Sequence, residues 1–260
     1  MTAKKTLKKI YISEVNKEMS KFRSLAPQMI TEESIASLPD PVRRHFRVCG
    51  FLGQSSFHNV RVIWKSTFIK MNKKHQWLKL RCDQFNSTPE PARIVLMCSR
   101  IGGVIPFSGR DKFQDGHGNM YIRLMSAFTV GNVLGPKMDQ SALVTVLAEI
   151  FLIPSYSLQP YIKWEPIDSL RAGASIEYNN VKASGVFSFS KSGEFVQFTT
   201  DERWQNETDE NPVRWSVKAH EYGGFNGQCF PARVCAVWHE PDGDFEYFRG
   251  VIEGLEFGVT

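Results

Sequence analysis

Glu149 is the residue whose type and position most clearly require a chemical explanation. It lies in residues 141–153, a run that after Ser141 is apolar except for Thr145 and Glu149. At about 100° per residue the apolar side chains cover nearly the whole circumference of a helix, so we expect this helix to be buried. A carboxylate buried without partners costs several kcal/mol. We therefore predict that Glu149 pairs with an arginine, and Arg123 and Arg203 are candidates because each lies in or beside an apolar strand.

Two roles are open for such a carboxylate. It could be a structural lock that pairs with a strand arginine, or a functional group. A functional Glu149 would be the polar anchor at the end of an apolar ligand cavity, or a general base with a raised pKa. Of Trp164, Trp204, Trp215 and Trp238, we expect most to lie in the core and one or two to form an aromatic wall for an apolar or planar ligand. The predicted ligand-binding set is Glu149, Arg123, Arg203, Trp164 and Asp168, and the sequence assigns no catalytic residue.

Familiar catalytic signatures are missing from the sequence. Residues 131–137 superficially resemble a phosphate-binding loop, but the glycine spacing is short and Pro136 removes a backbone donor. His220 and His239 are each followed by a glutamate without a second histidine four residues on, so neither forms a helical zinc motif. We expect neither a metal ion nor a cofactor.

The charge distribution argues against a nucleic-acid partner. Residues 1–25 hold seven basic and two acidic residues, which accounts for the whole net charge of +5. A nucleic-acid-binding protein usually spreads its positive charge over a face of the folded body. We favour a solvated terminal helix over an arm attracted to a membrane or to RNA.

Export and membrane signals are also missing from the printed chain. There is no apolar core of a signal peptide in the first 25 residues, and no run approaches roughly 18 consecutive apolar residues, so we expect no membrane span. The five cysteines are odd in number and scattered, which fits free thiols in a reducing compartment. We expect a cytoplasmic protein, unless the native N-terminus is missing; the oligomeric state is left open.

The pattern of elements predicts an α+β fold. Residues 1–50 are expected to form helices, including one after Thr31 that ends at Leu38 and another that begins at Asp40. Residues 51–260 contain about ten short apolar runs separated by turns, which predicts one antiparallel β domain because parallel strands need long crossovers. The expected architecture is a large curved antiparallel sheet, a half-barrel or open barrel, around the buried helix 141–153.

Several short motifs occur together in this chain. They are Leu-Pro-Asp-Pro-Val at 38–42, Ala-Glu followed by four residues and Pro at 148–154, and Trp-x-x-x-Asp at 164–168. Over roughly residues 38–257 the chain resembles a family of uncharacterised bacterial proteins known only as a domain of unknown function. The resemblance implies no activity, but it marks Glu149, Pro154, Trp164 and Asp168 as positions that the family pattern shares. It also implies a fold similar to the half-barrel of lipoprotein carriers, in which a curved sheet wraps apolar helices.

Three hypotheses of function follow. In the favoured one, the protein binds a lipid-like or other apolar small molecule without catalysis, the sheet forming the wall, the helix a plug or lid, and Glu149 with an arginine the polar end. The first alternative is an enzyme of unknown reaction that uses Glu149 and Asp168 as acid and base, with His117 or Arg203 as helper. The second is a scaffold that acts through the basic N-terminal helices.

Overall fold

The computed structural model describes residues 6–125, 127–225 and 227–259. Its helices are α1 (Leu7–Lys21), α2 (Asp40–Val48) and α3 (Pro136–Ala148), with 3-10 turns at Glu149–Phe151 and Pro154–Leu158. The strands are β1 (Gln28–Met29), β2 (Ser55–Ser56), β3 (Asn59–Ile69), β4 (Leu78–Ser87), β5 (Ala92–Ile101), β6 (Ile105–Gln114), β7 (His117–Leu124), β8 (Phe128–Val133), β9 (Ile162–Pro166), β10 (Arg171–Tyr178), β11 (Val181–Phe189), β12 (Phe195–Arg203), β13 (Val213–Phe225), β14 (Gln228–Glu240) and β15 (Gly243–Phe257).

The predicted antiparallel sheet is confirmed, and it is larger than expected. Among the described residues, β3 to β15 form one sheet of 13 strands in the order β8-β7-β6-β5-β4-β3-β15-β14-β13-β12-β11-β10-β9. Every neighbouring pair is antiparallel. Only the β15–β3 pair joins strands far apart in sequence, so the sheet consists of two runs of hairpins that meet there.

The sheet curls around α3. That helix contacts β6 and β7 near one edge of the sheet and β10, β11 and β12 near the other. In the strand order β7 and β11 are nine positions apart, which is about 43 Å across a flat sheet. A helix about 10–12 Å wide can contact both strands only if the sheet bends into a half-barrel. The predicted curved sheet around a buried mid-chain helix is therefore confirmed.

The limits of the buried helix differ from the prediction of residues 141–153. The helix begins at Pro136, after Gly135 with φ +107, because proline in the first turn has the backbone angle that a helix needs. Asp139, in the first turn of the helix, accepts a hydrogen bond from the Gly118 backbone N–H at 2.7 Å. The helix ends at Ala148 and continues as a 3-10 turn, since Pro154 cannot donate to residue 150 and forces residue 153 out of helical geometry.

Helices α1 and α2 cover other parts of the sheet. α1 lies on the convex face, where Leu7, Tyr11 and Val15 pack against apolar side chains of β4 and β5. α2 lies across one end of the half-barrel, where the Cys49 carbonyl accepts a hydrogen bond from the Cys229 backbone N–H at 3.0 Å. The proposed boundary at residue 50 stays a prediction. None of the helices within the described ranges is both long and apolar enough to cross a bilayer.

The helix expected after Thr31 does not form. Residues 32–37 are turns, in which Thr31 and Ser34 accept hydrogen bonds from each other's backbone N–H through their side-chain oxygens. Such side-chain bonds compete with helical ones, and Pro39 disfavours helical geometry at Leu38. The segment is too short to overcome both effects.

Candidate functional site

Glu149 is held at the point where α3 ends against the concave face of β4 and β5. Its Oε1 accepts a hydrogen bond from Arg93 Nε at 2.7 Å. Its Oε2 accepts from Gln84 Nε2 and from Asn86 Nδ2, both at 2.9 Å. Gln84 and Asn86 are two residues apart on β4, so the alternation of the strand points both toward the helix. The carboxylate is thus largely buried and has three donors.

Arg93 joins Glu149 to a second carboxylate. Its Nη1 lies 2.7 Å from Asp111 Oδ2, and the side chains of Arg93, Asp111 and Glu149 are 14%, 19% and 13% exposed. Burial alone would lower the pKa of the guanidinium, but the two neighbouring carboxylates raise the pKa of Arg93 above its ordinary value. We call Glu149, Arg93, Asp111, Gln84 and Asn86 the inner cluster.

The predicted pairing of Glu149 with Arg123 or Arg203 is wrong, because the partner is Arg93. Arg123 lies on β7, where its Nε and Nη2 donate to the Tyr121 hydroxyl at 3.1 and 2.8 Å. Tyr121 packs beside the apolar residues under α1, on the convex face. Side chains alternate along β7, so Arg123 shares that face and is separated from Glu149 by the sheet.

Arg203 points into the concave side through an irregularity in β12. Thr200 pairs with Trp215 and Arg203 with Val213, so β12 contains one residue more than β13 between these pairs. Without this bulge the alternation would place residue 203 on the convex face, and re-aiming a side chain is a common effect of a bulge.

The Arg203 guanidinium lies on an aromatic surface. Its carbon is 4.1 Å from the ring centroid of Trp215 and 5.3 Å from that of Trp238. Nη1 donates to the Tyr247 hydroxyl at 3.3 Å. Nε is buried and has no hydrogen-bond acceptor among the described residues. Nor does any described carboxylate lie within ion-pair distance of this arginine. Its charge is therefore neutralised less completely than that of Arg93.

A cavity of about 160 Å³ separates the inner cluster from Arg203. The inner cluster contributes side chains from β4, β5, β6 and the end of α3, whereas Arg203 and its aromatic neighbours come from β12 to β15. Between them the walls are mostly apolar. The apolar and aromatic lining includes Trp64, Ile69, Val95, Met97, Met120, Phe151, Leu152, Trp215, Val217, Val234, Tyr247 and Phe248.

Two predicted site residues do not line this cavity. Trp164 is half-buried on β9, where its Nε1 donates to the Ser157 carbonyl at 3.3 Å and its ring lies 5.3 Å from that of Phe187. Asp168 lies in the exposed turn after β9. There the Leu170 backbone N–H and the Arg171 guanidinium donate to it and hold the pKa of its carboxyl below the ordinary value.

The acid–base pair of the enzyme hypothesis is therefore not assembled. Glu149 borders the cavity and Asp168 lies in a surface turn, paired with Arg171. His117, the proposed helper, has a side chain that is 78% exposed, beside Asp139. Among the structurally described residues, no three histidine, cysteine, aspartate or glutamate side chains converge as metal ligands would.

The sequence reasoning missed most of the inner cluster. Gln84 and Asn86 lie outside the predicted ligand-binding set, although two amides two residues apart in a strand place polar groups on one face. Arg93 and Asp111 lie outside that set as well. The alternation in β4 and β5 was the available signal.

The fold and the site define a curled antiparallel half-barrel with a small interior cavity that is charged at both ends. The chain belongs to the DUF6544 family, a family of unknown function, whose model matches residues 28–250. The predicted membership of a family of unknown function is confirmed. No curated protein matches the chain.

Two solved structures are similar to this chain. One is the LolA superfamily protein NE2245 from Nitrosomonas europaea, with a TM-score of 0.47 and 9% identity over 89% of this chain and 95% of that chain. The other is a DUF1329 family protein from Desulfovibrio piger ATCC 29098, with a TM-score of 0.44 and 10% identity over 89% of this chain and 95% of that one.

Proposed function

We propose that this protein binds an amphipathic small molecule with an anionic head group in the cavity, without converting it chemically. The observation that carries the proposal is the state of Arg203. A guanidinium that borders an apolar cavity, with a buried Nε that has no acceptor among the described residues, is suited to receive a carboxylate.

The charges on the cavity walls favour an anion at Arg203 over an anion at the inner cluster. Arg93 already lies between the carboxylates of Glu149 and Asp111, so a third anion there would be repelled. Among the described residues, the Arg203 guanidinium contacts the Tyr247 hydroxyl and two indole rings, none of which carries a negative charge. A bound carboxylate would neutralise it and satisfy its free donors.

The size of the cavity limits the apolar part of the ligand. An apolar cavity of about 150 Å³ is known to hold a benzene molecule, and this one is about 160 Å³. A phenyl group or a chain of a few methylenes would fill it, and a longer chain would extend beyond its walls. We therefore favour short- and medium-chain carboxylates as probes.

Titration calorimetry with octanoate and octanol would test this function. We expect wild-type protein to prefer octanoate, and Arg203→Gln to weaken octanoate binding by roughly tenfold or more, because a hydrogen bond to a charged group is worth about 1.5–3 kcal/mol. Octanol should bind both proteins equally.

Arg214→Gln is the matched control, since Arg214 lies on the neighbouring strand β13 with an exposed side chain paired to Asp201. It should bind octanoate like wild type. If octanoate and octanol bind equally to wild-type protein, or if both variants behave alike, the proposed anchor is wrong. Native mass spectrometry of the purified protein would show whether a ligand is retained.

A further inference from the structure

The turns β3–β4, β5–β6 and β7–β8 lie at the same end of the half-barrel. In a run of antiparallel hairpins consecutive turns lie at opposite ends, so these three share one end and the β4–β5 and β6–β7 turns share the other. We call the three turns with their adjoining strand ends the hairpin rim.

Large apolar side chains of the hairpin rim face the solvent. Val104 is 73% exposed, and Met71 and Phe128 are each 61% exposed. All three turns contribute. The other exposed apolar residues of the rim are Ile101, Ile105, Met125 and Val130. Scattered single exposures are ordinary, but a set gathered at one end marks an interaction surface.

The charge of the same segments is of one sign. Residues 65–82 contain six Lys and Arg, residues 98–110 contain two and residues 120–137 contain two, and none of these ranges contains Asp or Glu. Some of these ten Lys and Arg side chains are buried or bonded within the protein. The exposed ones are Lys65, Lys73, Lys74, Lys79, Arg81 and Arg100.

Helix α1 adds further positive charge at this end. Glu14 pairs with Lys112, Glu18 accepts a hydrogen bond from Gln114, and Lys21 pairs with Asp115, so α1 runs parallel to β6. Its N-terminus therefore lies toward the β5–β6 turn, and the exposed Lys8 and Lys9 lie with it.

We propose that the hairpin rim docks on the surface of an anionic lipid bilayer. Apolar tips that enter the interface, surrounded by lysines and arginines that meet lipid phosphates, form the combination that peripheral membrane attachment requires. The exposed apolar side chains of the rim are valine, methionine and isoleucine with a single phenylalanine, and the ring of Trp77 is taken up by Lys70 and Arg249. The rim therefore favours a hydrocarbon boundary over stacking on nucleic-acid bases. The inference goes beyond the cavity, because docking needs no bound ligand.

The neighbouring turn limits the surface. Lys73 pairs with Glu240 and Asp242 of the β14–β15 turn. This turn is acidic, so the anion-binding surface ends there. The protein would approach the bilayer with one side of its rim.

Co-sedimentation with phosphatidylcholine vesicles, with and without phosphatidylglycerol, tests the proposal on the full chain. We expect wild-type protein to bind the phosphatidylglycerol vesicles at least tenfold more tightly. Val104→Ser with Phe128→Ser should reduce that binding at least tenfold. Met29→Ser with Val48→Ser, which changes exposed apolar residues outside the rim, should leave it unchanged.

A second pair of variants tests the contribution of the lysines in the hairpin rim. Lys65→Gln with Lys74→Gln should weaken binding to phosphatidylglycerol vesicles about fivefold for each charge removed. Lys182→Gln with Arg214→Gln, both exposed outside the rim, is the control and should bind like wild type.

Three outcomes would overturn the proposal. They are equal binding to the two kinds of vesicle, serine variants that bind like wild type, and binding of a single-stranded RNA that depends on Lys65 and Lys74 but not on Val104 and Phe128. The last outcome would assign the surface to nucleic acid. Failure here would leave the calorimetric test of the cavity untouched.

Discussion

The sheet around β4 to β6 carries a cluster of largely buried charges on each of its two faces. The inner cluster lies on the concave face around Glu149. The outer cluster lies on the convex face under α1, where Glu14 pairs with Lys112 at 2.8 Å and Glu18 accepts a hydrogen bond from Gln114 Nε2 at 2.6 Å. The inner cluster joins Glu149 to donors on β4 and β5, and the outer cluster joins two carboxylates of α1 to donors on β6.

The two clusters differ in the space beside them. α1 runs along β6 and covers its cluster, so the Glu18 side chain is 0% exposed. α3 ends at Ala148, one residue before Glu149, and leaves a cavity of about 160 Å³ next to its cluster. Similar chemistry therefore serves packing on one face and borders a binding volume on the other, and the geometry of the covering helix makes the difference.

Removal of the shared cation should be the most damaging change. Arg93→Met leaves Glu149 and Asp111 buried without their counter-ion, and breaking a buried pair in this way costs about 3–5 kcal/mol. Urea unfolding would measure the loss. Arg171→Met removes a similar pair with Asp168 from an exposed turn and should cost at most about 1 kcal/mol. Equal losses would mean that the inner cluster is effectively solvated.

The outer cluster should affect stability without affecting binding. Glu18→Ala removes the charged acceptor of Gln114 Nε2 and leaves it only a long contact of 3.5 Å to the Glu14 carbonyl, so we expect a loss of about 1.5–3 kcal/mol in unfolding free energy. The octanoate affinity measured by calorimetry should stay the same. A weaker affinity in this variant would show that the two faces are coupled through the strands.

His45, a buried residue of α2, gives a test of burial that depends on pH. Burial lowers the pKa of His45 to about 4, and its Nδ1 lies 3.1 Å from the Gly193 carbonyl oxygen. In the unfolded chain His45 takes up a proton near pH 6.5, whereas in the folded chain it does so only near pH 4. Stability is therefore lost as the pH falls from 6.5 to 4, by about 2 kcal/mol between pH 7 and 5.

His45→Gln should show a pH dependence smaller by that amount in urea titrations at the two pH values. His75→Gln, in the exposed β3–β4 turn, should keep the dependence of wild type. Identical slopes for wild type and His45→Gln would mean that the imidazole is not buried in its neutral form.

The smallest effect on stability is expected from filling the cavity. Ala236 lines it, so Ala236→Leu should place its added carbons in empty space and change the unfolding free energy by less than about 1 kcal/mol. Ala172→Leu, at a fully buried position of the same core, should cost about 1–3 kcal/mol. Only Ala236→Leu should weaken octanoate binding. A large loss of stability in that variant would show that the cavity is closed in solution.

Much of the architecture could be predicted from local pattern. The run 141–153 is apolar around its circumference, and this alone indicated a buried helix at mid-chain. Short apolar runs with turns between them indicated antiparallel hairpins, because nothing long enough for a crossover lies between most of them. These features depend on residues close together in sequence, where periodicity is informative.

The site depended on tertiary structure. Glu149 and Arg93 are separated by 55 intervening residues, and no local pattern distinguishes Arg93 from Arg123, since both lie in apolar strands. The register and the curl of the sheet decided which arginine meets the carboxylate. The bulge in β12 decided that Arg203 faces the cavity. Hydrophobic periodicity determines which element forms and which face it buries. Which distant polar groups come into contact is decided by the register and curvature of the sheet, because these set how the buried faces pack against one another.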